Sequence, residues 1–211
     1  MSMGNDHIVM PENHMDRLYN SDNILIKFVH RNRLNEIVKC MPAGKNQEVL
    51  DAGCGEGHLL ERLHKKNKSN HFFGIDVTKI ALEKAAIRCN FADLRMADLL
   101  NTGYEDAFFD AIFCTEVLEH IYEYQKVICE LKRILKPNGS LIITLPNEGM
   151  WRFARFLLMR RPFKVSDHVN SFNDAGMKSY VGMNLVSERG LPFKSLPFFI
   201  SFGYLMHFVK K

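Results

Sequence analysis

The chain has 211 residues, 46% hydrophobic and 25% charged, an ordinary globular balance and a length that suits one domain with a real core. Its formal net charge of +4 is too modest to argue for nucleic acid by itself. Five cysteines, at 40, 54, 89, 114 and 129, form no C-x-x-C pair, so they read as reduced thiols of a cytoplasmic protein and not as a disulfide frame. Met1 to Pro11 is polar and carries no apolar signal core. No segment has the length needed to span a bilayer; the closest, Leu196 to Val209, is broken by Pro197, Ser201, Gly203 and His207 and reads as a buried strand with its lead-in.

In chain order, residues up to about Asn46 predict helix, a cover over residues 1–46. Ile24, Leu25, Phe28, Val29, Leu34, Ile37 and Val38 recur at helical spacing, and Met41-Pro42-Ala43-Gly44 ends the region. Strand and helix then alternate. Strands are predicted over Glu48–Ala52, His71–Ile75 (ending at Asp76), Leu94–Ala97, Phe108–Cys114 and Ser140–Leu145. Helices are predicted over Leu59–Lys66, Thr78–Cys89 (with Thr78 as N-cap) and Glu116–Leu135, and Pro137-Asn138-Gly139 reads as a turn. After Pro146 the pattern changes. Trp151–Arg161 and Phe172–Tyr180 read as helices, while Leu185–Arg189 and Tyr204–Val209 read as strands able to pair antiparallel at a sheet edge.

This alternation predicts an α/β fold of Rossmann-like, three-layer form. The expected sheet has seven mostly parallel strands with an antiparallel edge strand, and helices on both faces. Such sheets bind ligands at the carboxyl ends of their strands. Asp51, Asp76, Asp98 and Thr115 fall at or just past predicted strand ends, so they should converge on one crevice.

The stretch Val49-Leu50-Asp51-Ala52-Gly53-Cys54-Gly55-Glu56-Gly57 joins the first strand to the next helix. Glycines there admit a ligand close to the backbone, and the helix start offers unpaired N–H groups. A dinucleotide fingerprint would need G-x-G-x-x-G, but His58 stands where the third glycine belongs. Asp51 would repel a pyrophosphate and tolerate a cationic ligand without phosphate. In Gly74-Ile75-Asp76-Val77 a carboxylate ends the second strand, where it can accept two hydrogen bonds from a ribose diol. Ala97-Asp98-Leu99 sets an acceptor among apolar residues, which with Val77 suits the amino group and flat face of adenine.

Asp51-Ala52-Gly53-Cys54-Gly55, Gly74-Ile75-Asp76, Ala97-Asp98-Leu99, Phe109-Asp110-Ala111-Ile112 and Leu135-Lys136-Pro137-Asn138-Gly139-Ser140-Leu141 together resemble the successive motifs of class I S-adenosylmethionine-dependent methyltransferases, in order and spacing, over residues 49 to 146. The resemblance implies S-adenosyl-L-methionine as cofactor and S-adenosyl-L-homocysteine as product. It implies that Gly53, Cys54 and Gly55 pass against the methionine portion. Asp76 would hold the ribose hydroxyls, Asp98 the adenine amino group, and the backbone of Cys114 and Thr115 the methionine amine. Cys114-Thr115-Glu116-Val117-Leu118-Glu119-His120-Ile121 further resembles a segment of ubiquinone-pathway O-methyltransferases and their relatives. Those carry an arginine ahead of the glycine loop. Arg33 stands at that place, and a guanidinium can pair bidentately with the methionine carboxylate.

A hydroxyl acceptor needs a base. His120, past the fourth strand, and His168, in Val165-Ser166-Asp167-His168-Val169-Asn170-Ser171-Phe172, are the candidates, each with a structural or capping role as its alternative. Glu116, Glu119 and His120 at i, i+3 and i+4 would share one helix face, either as a divalent-metal site or as a solvated helix start. Residues 150–171 read as an insertion or lid. Phe153, Ala154, Leu157 and Leu158 collect on one side and Arg152 and Arg155 on another, fitting a lid over an apolar substrate, a helix on a membrane surface or a plain cover helix.

The favoured function is methyl transfer to a small-molecule acceptor, at oxygen, with an apolar or lipid-like acceptor in view. The alternatives are a methyltransferase acting on protein or RNA, and a non-catalytic S-adenosylmethionine-binding protein. Cys114-Thr115-Glu116-Val117 replaces the Asn-Pro-Pro-Tyr type of motif, which argues against methylation of nucleic-acid base amines.

Overall fold

The computed structural model describes residues 24–147, 149–150, 169–170, 172, 174–191 and 201–211. The elements, in order, are α1 (Ile24–Lys39), β1 (Glu48–Ala52), α2 (His58–Lys66), β2 (His71–Asp76), α3 (Lys79–Arg88), β3 (Ala92–Met96), β4 (Phe109–Thr115), a 3₁₀ turn (Leu118–His120), α4 (Tyr124–Ile134), β5 (Leu135–Pro146), α5 (Asp174–Val181), β6 (Asn184–Leu191) and β7 (Gly203–Val209).

The strands form one seven-stranded sheet in the order β3-β2-β1-β4-β5-β7-β6. The first five in that order pair in parallel, and β7 runs antiparallel to both β5 and β6. The reversed strand is therefore one place in from the edge, and β6 is the edge strand.

Successive side chains of the central strands enter opposite faces of the sheet. Leu50, Ile112, Cys114, Leu141 and Ile143 join a core with Val127, Ile128, Leu131 and Ile134 of α4 and Met177 and Val181 of α5. Val49, Ala111, Phe113 and Ile142 join a second core with Leu34 and Ile37 of α1 and Leu59, Leu60 and Leu63 of α2. Burial on both faces explains why β4 and β5 are nearly continuous apolar runs. The result is a three-layer α/β/α sandwich. The strand order reverses between β1 and β4, the switch point outside whose carboxyl ends sheets of this kind bind ligands.

Several local expectations change. The long helix over Glu116–Leu135 does not form. Glu116 adopts φ +56°, a 3₁₀ turn follows, and α4 begins only at Tyr124. Pro137-Asn138-Gly139 turns as expected, but inside the span of β5: Asn138 (φ +62°) donates its N–H to Lys210 O at 2.9 Å, and the pairing with β4 passes from Leu135 to Ser140 across it. Thr78 precedes α3 without a side-chain capping bond; its own N–H donates to Asp76 Oδ1 at 2.8 Å. The third strand starts and ends earlier than expected, at Ala92–Met96. The expected helix at Trp151–Arg161, most of the insertion and His168 lie outside the described residues. Among the described residues no helix is long and apolar enough to cross a membrane.

Candidate active site

The loop after β1 is bound to β2 by its own backbone. Ile75 O accepts the N–H groups of Gly53 (2.8 Å) and Cys54 (2.9 Å), and Asp76 Oδ2 accepts that of Gly55 (2.8 Å). Gly53, Gly55 and Gly57 all have positive φ, at +83°, +50° and +80°. The space around them differs. A Cβ on Gly53 would come within 2.4 Å of Val117 Cγ2, and one on Gly57 within 2.9 Å of Cys89 Sγ. Among the described residues a Cβ on Gly55 would meet nothing within 4 Å. Gly53 and Gly57 are thus glycines for packing, and Gly55 exposes backbone to open space at the carboxyl end of the sheet.

Asp51 lies one residue before the end of β1 and is 1% exposed. Its Oδ1 has no hydrogen-bond partner among the described residues. Burial, and then the charge of Asp76, push its carboxyl pKa up to about 8. A buried carboxyl left in this state is what a cationic ligand group would relieve.

Asp76 ends β2 with Oδ2 on Gly55 and Oδ1 on Thr78. Each carboxylate oxygen keeps acceptor capacity beyond those bonds. Val77 follows and is exposed. Ala97 donates its N–H to Asp76 O at 3.2 Å, which places the Ala97-Asp98-Leu99 stretch beside the end of β2. Leu99 is buried, while Asp98 Oδ1 accepts the Leu100 N–H at 2.9 Å and so shapes its own turn. Exposed Ile80 and Met96 stand at the start of α3 and the end of β3; sequence reasoning did not select them.

Cys54 and Cys114 are buried, and burial raises both thiols. They fill space and are poor nucleophiles. Thr115, half-buried, closes β4. Arg33 reaches this same edge from α1, with Nη1 2.9 Å from Glu116 Oε2.

Glu116, Glu119 and His120 do not share a helix face. Glu116 points to Arg33 and Thr144, its Oε1 accepting the Thr144 hydroxyl at 3.0 Å, and Glu119 is buried in the 3₁₀ turn. Among the described residues no cluster of three or more His, Cys, Asp or Glu is placed to hold a metal ion. His120 is half-buried at the end of that turn.

Sequence reasoning missed the hook that holds the turn. Glu119 O accepts the N–H groups of Val169 (2.9 Å) and Asn170 (3.2 Å). The Asn170 side-chain amide donates to Leu118 O (3.2 Å) and Ile121 O (2.6 Å). The only signal available was a polar residue set between Val169 and Phe172.

Among the described residues, the open backbone at Gly55, the Asp51 oxygen without a hydrogen-bond partner and the strand-end Asp76 fit a nucleoside joined to a cationic, phosphate-free group, and so fit S-adenosylmethionine. Residues 43–179 match the family model described as a methyltransferase domain. The ubiquinone biosynthesis O-methyltransferase of Vibrio campbellii is 26% identical over 170 residues, covering 75% of this chain and 72% of that protein. The enzyme of the same name from Alkalilimnicola ehrlichii is 29% identical over 122 residues, covering 56% of this chain; the match spans about half, 49%, of that relative's length. Among solved structures, the N-methyltransferase NodS from Bradyrhizobium japonicum in complex with S-adenosyl-L-homocysteine superposes with a TM-score of 0.68. That likeness covers 93% of this chain and 95% of NodS at 17% identity, and shows a shared fold. The chain belongs to the methyltransferase domain family, in its class I, S-adenosylmethionine-dependent form.

Proposed function

We propose that the chain transfers a methyl group from S-adenosylmethionine to a small-molecule acceptor, at oxygen, with an apolar or lipid-like acceptor as the best fit. The observation that carries the cofactor reading is Gly55: left-handed backbone, open space where a side chain would be, and its N–H held by Asp76. The acceptor reading draws on the likeness to ubiquinone biosynthesis O-methyltransferases.

In this reading Gly53, Cys54 and Gly55 line the methionine portion of the cofactor. Asp76 accepts the ribose hydroxyls. Asp98 accepts the adenine amino group, with Val77, Ala97 and Leu99 about the ring. The Cys114 and Thr115 backbone and the Asp51 carboxyl face the ammonium, and Arg33 takes the carboxylate. When bound, the sulfonium supplies an electrophilic methyl group for in-line displacement. Holding two reactants in line supplies much of such a rate. A hydroxyl acceptor must also lose its proton, and a neutral imidazole nitrogen of His120 takes it; His168 is the second candidate. A lid role for the 150–171 insertion, and contact of residues 150–161 with a membrane surface, belong to the same reading.

The test is transfer of labelled methyl into polyprenylated catechol quinone precursors, tRNA and total protein. Label in the quinone precursor supports the reading. Label confined to tRNA or protein would replace the acceptor class while leaving the cofactor assignment intact.

A further inference from the structure

Glu116 is the first residue after β4 and holds φ at +56° although it carries a Cβ. Such a conformation is strained, and it persists only where its surroundings impose it. Here three bonds do so. The Glu116 N–H donates to Thr144 O at 3.2 Å. Its Oε1 accepts the hydroxyl of Thr144, a wholly buried residue of β5, at 3.0 Å. Its Oε2 lies 2.9 Å from Arg33 Nη1. The carboxylate is thereby aimed away from the helical path that the sequence suggests and toward α1.

Arg33 lies outside residues 43–179, the span matched by the family model. α1 is joined to the rest of the molecule by packing and by ion pairs, Arg33 with Glu116 and Glu36 with Arg189 (3.4 Å). An arginine side chain has a long flexible stem, and fixing it costs rotamer entropy. A guanidinium is a planar fork of N–H donors, so a carboxylate held at one amino group restricts the plane of the whole fork. The Arg33 and Glu116 side chains are 16% and 26% exposed, so the pair is screened by solvent less than a surface pair.

We infer that Glu116 is a positioning residue for the amino-acid end of the cofactor: fixed by Thr144 and a left-handed backbone, its carboxylate sets the place and plane of the Arg33 guanidinium at the carboxyl edge of the sheet, where Arg33 takes the ligand carboxylate in the proposed function. This rests on the proposed role of Arg33. Glu116 acts through Arg33 and does not touch the reacting atoms. Its contribution therefore depends on whether the ligand has a carboxylate.

The experiment is calorimetric titration with S-adenosyl-L-homocysteine and with 5′-methylthioadenosine, which has the nucleoside and thioether but no amino-acid end. Wild type binds both. Glu116→Gln should bind S-adenosyl-L-homocysteine about tenfold more weakly, the effect of one charge-assisted bond, and 5′-methylthioadenosine as wild type does. Glu116→Gly keeps the left-handed backbone while deleting the carboxylate. It should show the same selective loss with a melting temperature within about 4 °C of wild type. Equal loss of both ligands would make Glu116 merely structural and overturn the inference. Unchanged or tighter S-adenosyl-L-homocysteine binding would overturn it too, by showing Glu116 to be idle or a competitor for Arg33. If Arg33→Ala leaves both affinities intact, the Arg33 role fails and the inference with it. If wild type binds neither ligand, the cofactor reading itself is wrong.

Discussion

Asp51 keeps its proton up to about pH 8 because it is buried and because Asp76, on the neighbouring strand, faces it with a negative charge. The unfolded carboxyl has an ordinary value of 3.8. Between those values the folded chain holds a proton that the unfolded chain has lost. The stability linked to Asp51 is therefore fully present below the lower value and is lost as pH rises toward about 8, beyond which it levels off. Asp51→Asn removes this titration. Its ligand-free melting temperature should exceed that of wild type at about pH 8, and the gap should shrink as pH is lowered toward about 5. A gap that stays constant with pH would show that Asp51 is ionised throughout.

The same proton gives a binding signature. If a cofactor ammonium meets Asp51, the carboxyl ionises on binding. At about pH 7, titrations in buffers of different ionisation enthalpy should then show release of nearly one proton. Asp51→Asn should abolish that release.

Gly53 and Gly55 separate packing from ligand contact. Gly53→Ala drives a Cβ to 2.4 Å from Val117 and imposes a residue with a Cβ on φ +83°, so it should destabilise the fold by roughly 2–4 kcal/mol. Gly55→Ala meets no atom of the described residues and carries the cost of φ +50°, about 1–2 kcal/mol. Yet its methyl group occupies the open space assigned to the cofactor. Urea denaturation should rank Gly53→Ala as the less stable, whereas Gly55→Ala should lose S-adenosyl-L-homocysteine affinity out of proportion to its stability. Full affinity in Gly55→Ala would place the ligand elsewhere.

Much of this arrangement was legible in the sequence. Alternating apolar strands and amphipathic helices give the layers, and glycine spacing with strand-end aspartates locates the loop. The turn after β4 was not legible. Val117, Leu118, Ile121 and Tyr124 keep a three- to four-residue apolar rhythm that suits an α-helix and a 3₁₀ turn alike. The left-handed residue that breaks the helix is Glu116, with no glycine or asparagine to announce it. Pro137-Asn138-Gly139 was legible as a turn: Asn138 takes φ +62°, and the register of β5 on β4 passes from Leu135 to Ser140 across it, while Lys210, beyond the end of β7, accepts the Asn138 N–H and donates to Gly139 O.

Asn170 should matter to the turn that carries His120. Asn170→Ala leaves the carbonyls of Leu118 and Ile121 without its amide, which should cost about 1–3 kcal/mol in chemical denaturation. Because those bonds fix the turn proposed to face the acceptor, KM for the acceptor should rise while S-adenosyl-L-homocysteine affinity stays unchanged. Loss of cofactor affinity instead would tie this hook to the wrong half of the site.

The most direct test of the cofactor site is the affinity of wild type and Asp76→Ala for S-adenosyl-L-homocysteine by calorimetry, with folding of the variant checked by circular dichroism. Asp76 is assigned both the Gly55 N–H and the ribose hydroxyls, so wild type should bind and a folded Asp76→Ala should show no measurable heat. A folded Asp76→Ala that binds as wild type does would contradict the assignment of this crevice to the cofactor.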